Sequence, residues 1–211
     1  MTPIVFDLDG TLVDSLPDIV AAVNKMVADF ESEPLPEDLI RSFVGRGIPK
    51  LVESVLNEIK LTTSHGISTF KRHYESAPSD LTVMYPGVLN ALIALKARGY
   101  PMGICTNKDL GLTQTVLDDL DISQFFDLVI GGDSLETRKP APEPLLKAFE
   151  DLGATGVFIG DSEVDAQTAK AANVTMGLYT QGYRKTPVKE LYHSFSFSDF
   201  SELPSLIQDA L

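Results

Sequence analysis

The chain has 211 residues, 44% hydrophobic and 22% charged, a balance that excludes a disordered polypeptide and allows one large domain or a core with a smaller insert. Its 17 basic and 30 acidic residues give a net charge of −13, which repels a nucleic-acid backbone, so no nucleic-acid partner is expected. One cysteine, Cys105, excludes an internal disulfide, and its place in the apolar run "MGICT" makes it a small buried hydrophobe.

In chain order, the first predicted element is a buried strand, "PIVFDLD" (3–9). No convincing strand follows until about residue 82. The interval instead holds four segments of helical spacing, "LPDIVAAVNKMVADF" (16–30), "EDLIRSFV" (37–44), "IPKLVESVLNEI" (48–59) and "ISTFKRHYES" (67–76). "SAPSD" (76–80) and "YPG" (85–87) read as the returning linker. Strands and helices then alternate: helix 87–99, strand 101–107, helix 110–120, strand 126–132, helix 143–153, strand 156–161, helix 164–173 and strand 174–179. Continuously apolar strands suit a parallel sheet covered on both faces, and the alternation predicts a doubly wound α/β core. The expected division is a core of residues 1–14 and 83–211, with a helical domain, 15–82, inserted after the first strand.

Ligands of such a sheet sit beyond the carboxyl ends of its strands. Those ends carry Asp7 and Asp9, then Thr106 and Asn107, then Asp161; Lys139 follows the third strand and Asp165 opens the helix after Asp161. Like charges 4 Å apart repel by about 4 kcal/mol at an effective dielectric of 20, so these carboxylates need cations. Hard oxygen ligands with room for a phosphate select Mg²⁺, and Lys139 supplies a second positive charge. Two aspartates in one motif suit two tasks: one attacks phosphorus, the other moves protons. Thr106 and the backbone N–H groups after Asp7 can hold the transferring phosphoryl, and Gly10-Thr11 allows the tight turn this needs.

"DLDGTLVDS", "TNK", "KPAPEPL" and "GDSEVD", in this order, resemble the four motifs of the haloacid dehalogenase superfamily. The resemblance spans the whole chain and implies a Rossmann-like core with an all-helical cap, Mg²⁺ and an aspartyl-phosphate mechanism. It implies Asp7 as nucleophile and Asp9 as general acid/base. It also implies Mg²⁺ ligation by the Asp7 and Asp161 side chains and the Asp9 carbonyl, phosphate binding by Thr106 and Lys139, and support of the metal by Asp165. "FVGRGIPKLVESVL" (43–56) resembles the cap loop of the phosphoglycolate phosphatases in this superfamily. That implies 2-phosphoglycolate as substrate; Gly45 and Gly47, flanking Arg46, read as a mobile loop that presents its guanidinium to the substrate's carboxylate. At Gln181 those enzymes often carry an aromatic residue, and this chain departs from them.

Other readings fit less well. Asp7, Asp9, Thr11 and Asp18 fall near the ligand positions of a calcium loop, but the position that needs glycine is Leu12. Sugar-phosphate phosphatases, β-phosphoglucomutases and pyrophosphatases share the motifs and remain alternatives for the substrate. A catalytically silent binding protein, or a domain switched by phosphorylation, is the alternative of another class; the acid/base at Asp9 and the long insert favour turnover. The expected partner is a small phosphorylated metabolite. His65, His73 and His193 show no metal-binding spacing. No basic, apolar leader opens the chain and no apolar run approaches the roughly 20 residues that span a bilayer, so a cytoplasmic setting is expected.

Overall fold

The first strand, β1 (Ile4–Phe6), is followed by β2 (Val13–Asp14) and four helices, α1 (Leu16–Asp29), α2 (Glu37–Arg41), α3 (Ile48–Glu58) and α4 (Gly66–Glu75). β3 (Val83–Met84) and α5 (Val88–Ala97) bring the chain back to β4 (Met102–Cys105), α6 (Leu110–Asp119) and β5 (Leu128–Ile130). The remainder runs α7 (Glu143–Asp151), β6 (Val157–Gly160), α8 (Glu163–Ala172), β7 (Thr175–Tyr179), β8 (Phe195–Phe197) and α9 (Leu203–Ala210). This computed structural model describes residues 1–210.

Six strands form one parallel sheet in the order β5-β4-β1-β6-β7-β8. Side chains alternate between its faces, and both faces are covered, which is why the strands read as unbroken apolar runs. Ile4, Phe6, Ile104 and Ile159 pack with Leu92 of α5, Val116 of α6 and Ile207 of α9. On the opposite face Val5, Cys105 and Phe158 pack with Phe149 of α7 and Ala169 of α8. Phe6 lies beside both Ile104 and Ile159, so β1, β4 and β6 end level with one another. The chain winds outward in opposite directions from β1, and ligands bind at such a switch point.

The four inserted helices have an apolar cluster of their own, in which Val23 and Met26 of α1 meet Ile40, Val55 and Phe70. Two features tie the ends of the insert together. β2 and β3 pair antiparallel, and buried Asp18 accepts from the Leu81 N–H (3.0 Å) and the Thr82 hydroxyl (2.7 Å). Asp18, the last residue of the calcium-loop pattern, is thus a structural tie.

Several sequence expectations change in detail. The strand expected over 3–9 leaves the sheet after Phe6: Asp7 N–H still donates to Ile159 O (2.8 Å), but Leu12 N–H already donates to Leu8 O (2.9 Å) in a turn. The helix expected over 37–44 ends at Arg41, where the Ser42 hydroxyl takes the Leu39 carbonyl (2.7 Å). β2, β3 and β8 went unforeseen because strands of two or three residues carry too little periodicity to read.

Candidate active site

Asp7 is the first residue past β1, Thr106 the first past β4 and Asp161 the first past β6, so the level strand ends bring all three to one crevice. Carboxylate oxygens of Asp7, Asp161 and Asp165 lie within 4.8 Å of one another, and all three residues are buried. Lys139 joins them, with Nζ 2.6 Å from Asp165 Oδ1 and 3.0 Å from Asp7 Oδ1. Asp161 accepts from the Thr11 hydroxyl (2.8 Å) and the Tyr183 N–H (2.6 Å). Asp165 also closes a capping box with Ser162 at the start of α8. It therefore serves the helix and the lysine at once.

The turn after Asp7 depends on Gly10. Its φ is +85°, and a Cβ there would lie 2.6 Å from Asp161 Oδ2. Only glycine lets the backbone pass this close to the acidic cluster.

The electrostatics follow from burial. Loss of solvent pushes the Asp7 carboxyl up to about 7; repulsion from Asp165 and Asp9 adds to this and Lys139 counteracts it. Burial likewise raises Asp161, helped by Asp165 and Asp7 and opposed by the Tyr183 N–H and the Thr11 hydroxyl. For Lys139 burial acts to lower the pKa, yet Asp165 and Asp7 outweigh it and hold the ammonium charged. One lysine against three carboxylates leaves the pocket deficient in positive charge. Cys105, behind the site, has its thiol pushed up to about 12 by burial and is no nucleophile at neutral pH.

The Asp9 carboxylate is held apart from this cluster. It accepts from the Ser15 hydroxyl (2.6 Å) and from Lys108 Nζ (3.1 Å), and the same ammonium donates to the Tyr74 hydroxyl of α4. Asn107 donates to the Gly45 carbonyl (2.9 Å) and the Lys139 carbonyl (2.8 Å), linking the insert's loop to the segment that carries the lysine. Its Oδ1 is buried without a partner. Gly45 and Gly47 both have positive φ, and Arg46 between them is exposed.

Two cavities meet at Asp7 and Asp9. The smaller, about 50 Å³, lies beneath the insert and is lined by Thr106, Asn107 and Lys108 with Ile48, Phe70 and Tyr74. The larger, about 400 Å³, is lined by Asp161, Arg46, Lys50 and Lys185. Of the residues expected from the sequence, Asp7, Asp9 and Gly45 border both cavities, Thr106, Asn107 and Gly47 only the small one, and Arg46 and Asp161 only the large one.

Two contributors escaped sequence reasoning. Lys108 follows Thr106-Asn107 directly, but a lysine after a strand reads as solvated until the insert is packed over it. Tyr183 lies far along the chain, yet its hydroxyl accepts from the Ser15 and Leu16 N–H groups at the start of α1 (2.9 and 3.0 Å) and donates to Asp14 (2.8 Å). It satisfies the helix end that the Ser15 side chain, turned to Asp9, does not. In the sequence Tyr183 lies in "GLYTQGYR" (177–184), where no local pattern gives it a role.

The haloacid dehalogenase-like hydrolase family profile matches residues 4–178. The chain is 44% identical to a phosphoglycolate phosphatase of Cereibacter sphaeroides over 100% of both sequences. It is 41% identical to the phosphoglycolate phosphatase of Rhodobacter capsulatus, over 97% of this chain and 96% of that one. Among solved structures, a protein of Haemophilus somnus described as a "predicted phosphoglycolate phosphatase" superposes with a TM-score of 0.92 at 30% identity, covering 98% of this chain and 97% of that one. With the profile running from β1 into β7 and taking in the carboxylate cluster, the chain belongs to the haloacid dehalogenase-like hydrolase family.

Proposed function

We propose that this chain hydrolyses 2-phosphoglycolate to glycolate and phosphate through a phosphoryl group carried on Asp7, with Mg²⁺ bound. The observation that carries the reaction type is the different setting of the two aspartates. Asp7 sits in the acidic cluster against Lys139, whereas Asp9 stands apart on Ser15 and Lys108 at the mouth of the small cavity.

The cluster fits Mg²⁺: its donors are hard carboxylate oxygens, and burial holds Asp7 and Asp161 so far above the usual range that a cation is needed to ionise both. Asp7, Asp161 and the Asp9 carbonyl would hold the ion, with Asp165 orienting Lys139 and the backbone of residues 161–162 around it. When bound, the ion neutralises the carboxylates and draws charge from the phosphoryl oxygens.

Both contacts of the Asp7 carboxylate, from the Leu8 N–H and from Lys139, fall on Oδ1, which leaves Oδ2 to attack phosphorus. As that bond forms, the bond from phosphorus to the glycolate oxygen breaks, and the departing oxygen takes a proton from the Asp9 carboxyl. Asp9, now a carboxylate, removes a proton from water, whose oxygen attacks phosphorus and returns Asp7 as phosphate leaves. Thr106 and Lys139 hold the phosphoryl oxygens during both transfers.

Substrate size supports the specific reading. The cavity beneath the insert, beside Asp7 and Asp9, is small, about 50 Å³, and suits a short acid as the leaving group. Full-length likeness to phosphoglycolate phosphatases agrees. In this reading residues 15–82 act as a cap that shields the site, and the lone buried thiol suits a cytoplasmic protein. The test is phosphate release with Mg²⁺ from 2-phosphoglycolate beside sugar phosphates, nucleotides, pyrophosphate and phosphonoacetaldehyde. A kcat/KM at least about tenfold above the rest supports the assignment, since tenfold is ~1.4 kcal/mol of discrimination; a flat or sugar-led profile removes the substrate and keeps the reaction.

A further inference from the structure

Lys139 supplies the cation beside Asp7, and Lys108, which holds Asp9, is a second buried ammonium at the site. The Lys108 side chain is 3% exposed, and such a group is buried only where something is gained from its charge. Its Nζ lies 3.1 Å from Asp9 Oδ1, donates to the Tyr74 hydroxyl and sits 4.8 Å from the centre of the Tyr74 ring. Nζ also lies 3.4 Å from Asp9 Oδ2, so the two Asp9 oxygens and the Tyr74 hydroxyl share its three N–H donors, and the longer contact to Oδ2 is the one an incoming anion would displace.

Lys108 is also the sole cation among the residues lining the small cavity, where the other charged groups are Asp7 and Asp9. A substrate that placed a second anionic group there would meet two carboxylates and one ammonium. Apart from Tyr74, from Thr106 at the phosphoryl position and from Asn107, whose amide nitrogen is taken by two carbonyls, the walls are largely apolar, among them Ile48, Leu51 and Phe70. Arg46, by contrast, is exposed and lines the wider cavity.

We infer that Lys108 is the residue that recognises the substrate's carboxylate, with Tyr74 of the cap holding the ammonium toward the cavity. This deepens the substrate reading above and rests on it. Specificity for a carboxylated phosphomonoester then comes from the core loop after β4 together with one cap hydroxyl, and the guanidinium of Arg46 is not its source. Because Tyr74 belongs to α4, the ammonium is fully positioned only when the cap lies over the core.

The test compares kcat/KM for 2-phosphoglycolate and for 2-hydroxyethyl phosphate, which has the same length and no carboxylate, in the wild-type protein, Lys108→Met, Lys108→Gln and Arg46→Ala. Thermal melting of each variant establishes folding. The wild type should prefer the carboxylated ester. In both Lys108 variants that preference should fall roughly 10- to 100-fold, the loss expected of a hydrogen bond to a charged group; disturbance of Asp9 slows both esters alike and leaves their ratio unchanged. If Lys108→Met does not fold, Lys108→Gln, which keeps a donor for Asp9 or Tyr74, carries the test. A wild type indifferent to the carboxylate overturns the substrate reading, and this inference with it. A wild-type preference that survives in a folded Lys108 variant, or that collapses only in Arg46→Ala, overturns the role of Lys108 and leaves the substrate reading intact.

Discussion

The metal-free protein should become less stable as pH rises from about 4 to 8, and Mg²⁺ should restore stability at the upper end. The cause is the carboxylate cluster. Asp7 titrates at 3.8 in an unfolded chain and at about 7 in the fold. Between these values the folded chain keeps a proton that the unfolded chain has released, so stability falls with rising pH throughout that window. At 1.36 kcal/mol for each tenfold in proton affinity, the shift amounts to about 4 kcal/mol lost by pH 8. Asp161, raised by the same burial, acts in the same direction. Other carboxylates, Asp127 among them, are held low and act in the opposite sense, so Asp7 has to be isolated. Asp7→Asn does this, since an amide of the same shape does not titrate. Thermal melting in EDTA, across this pH range, should show the wild type losing roughly 8–16 °C relative to Asp7→Asn, at about 2–4 °C for each kcal/mol in a chain of this size. Adding Mg²⁺ at pH 8 should recover most of the difference, and at pH 5 little. A wild type that tracks Asp7→Asn across the range, or an equal effect of Mg²⁺ at pH 5 and pH 8, refutes the reasoning that an uncompensated negative charge selects the metal.

Other perturbations reach separate parts of the account. Gly10→Ala forces a side chain into a left-handed backbone and against Asp161; about 1–2 kcal/mol of stability should be lost and the Mg²⁺ needed for half-maximal activity should rise, both readable by melting and metal titration. Asp9→Asn should lower kcat by roughly 10²–10⁴ while Mg²⁺ still binds, seen by pairing steady-state kinetics with metal-dependent melting. Tyr183→Phe strips the acceptor from the Ser15 N–H, leaves the Leu16 N–H only its longer bond to Asp14, and should cost about 1–3 kcal/mol in chemical denaturation, with kcat at saturating substrate nearly unchanged.

How far the sequence carried this account depends on the distance over which each feature is determined. The apolar runs ending in Asp7, Thr106 and Asp161 disclosed the crevice because a parallel sheet puts all its carboxyl ends on one side, whatever the loops do. Lys139 and Asp165 entered through their motifs, and their mutual ion pair at 2.6 Å depends on how β6 and the segment before α7 pack. Asn107, expected at the substrate, lines the small cavity; its amide nitrogen is occupied by the Gly45 and Lys139 carbonyls, while Oδ1 stays unbonded. Arg46 drew attention because two glycines flank it, yet a guanidinium on a glycine-rich loop says nothing of which cavity it will face. Lys108 drew none. Its burial arises from α4 lying over the loop after β4, a contact between residues far apart in the chain that no local pattern encodes. The same holds for Tyr183, whose hydroxyl caps a helix more than a hundred residues earlier.

The central claim is that Asp7 carries the phosphoryl group. It is tested most directly by mixing the protein with Mg²⁺ and 2-phosphoglycolate, quenching in acid within milliseconds, and mapping the modified peptide by mass spectrometry. The account predicts a phosphoryl adduct on Asp7, none on Asp9, and its loss in Asp7→Asn. Turnover with no adduct at any quench time, together with continued phosphate release by Asp7→Asn, would contradict it.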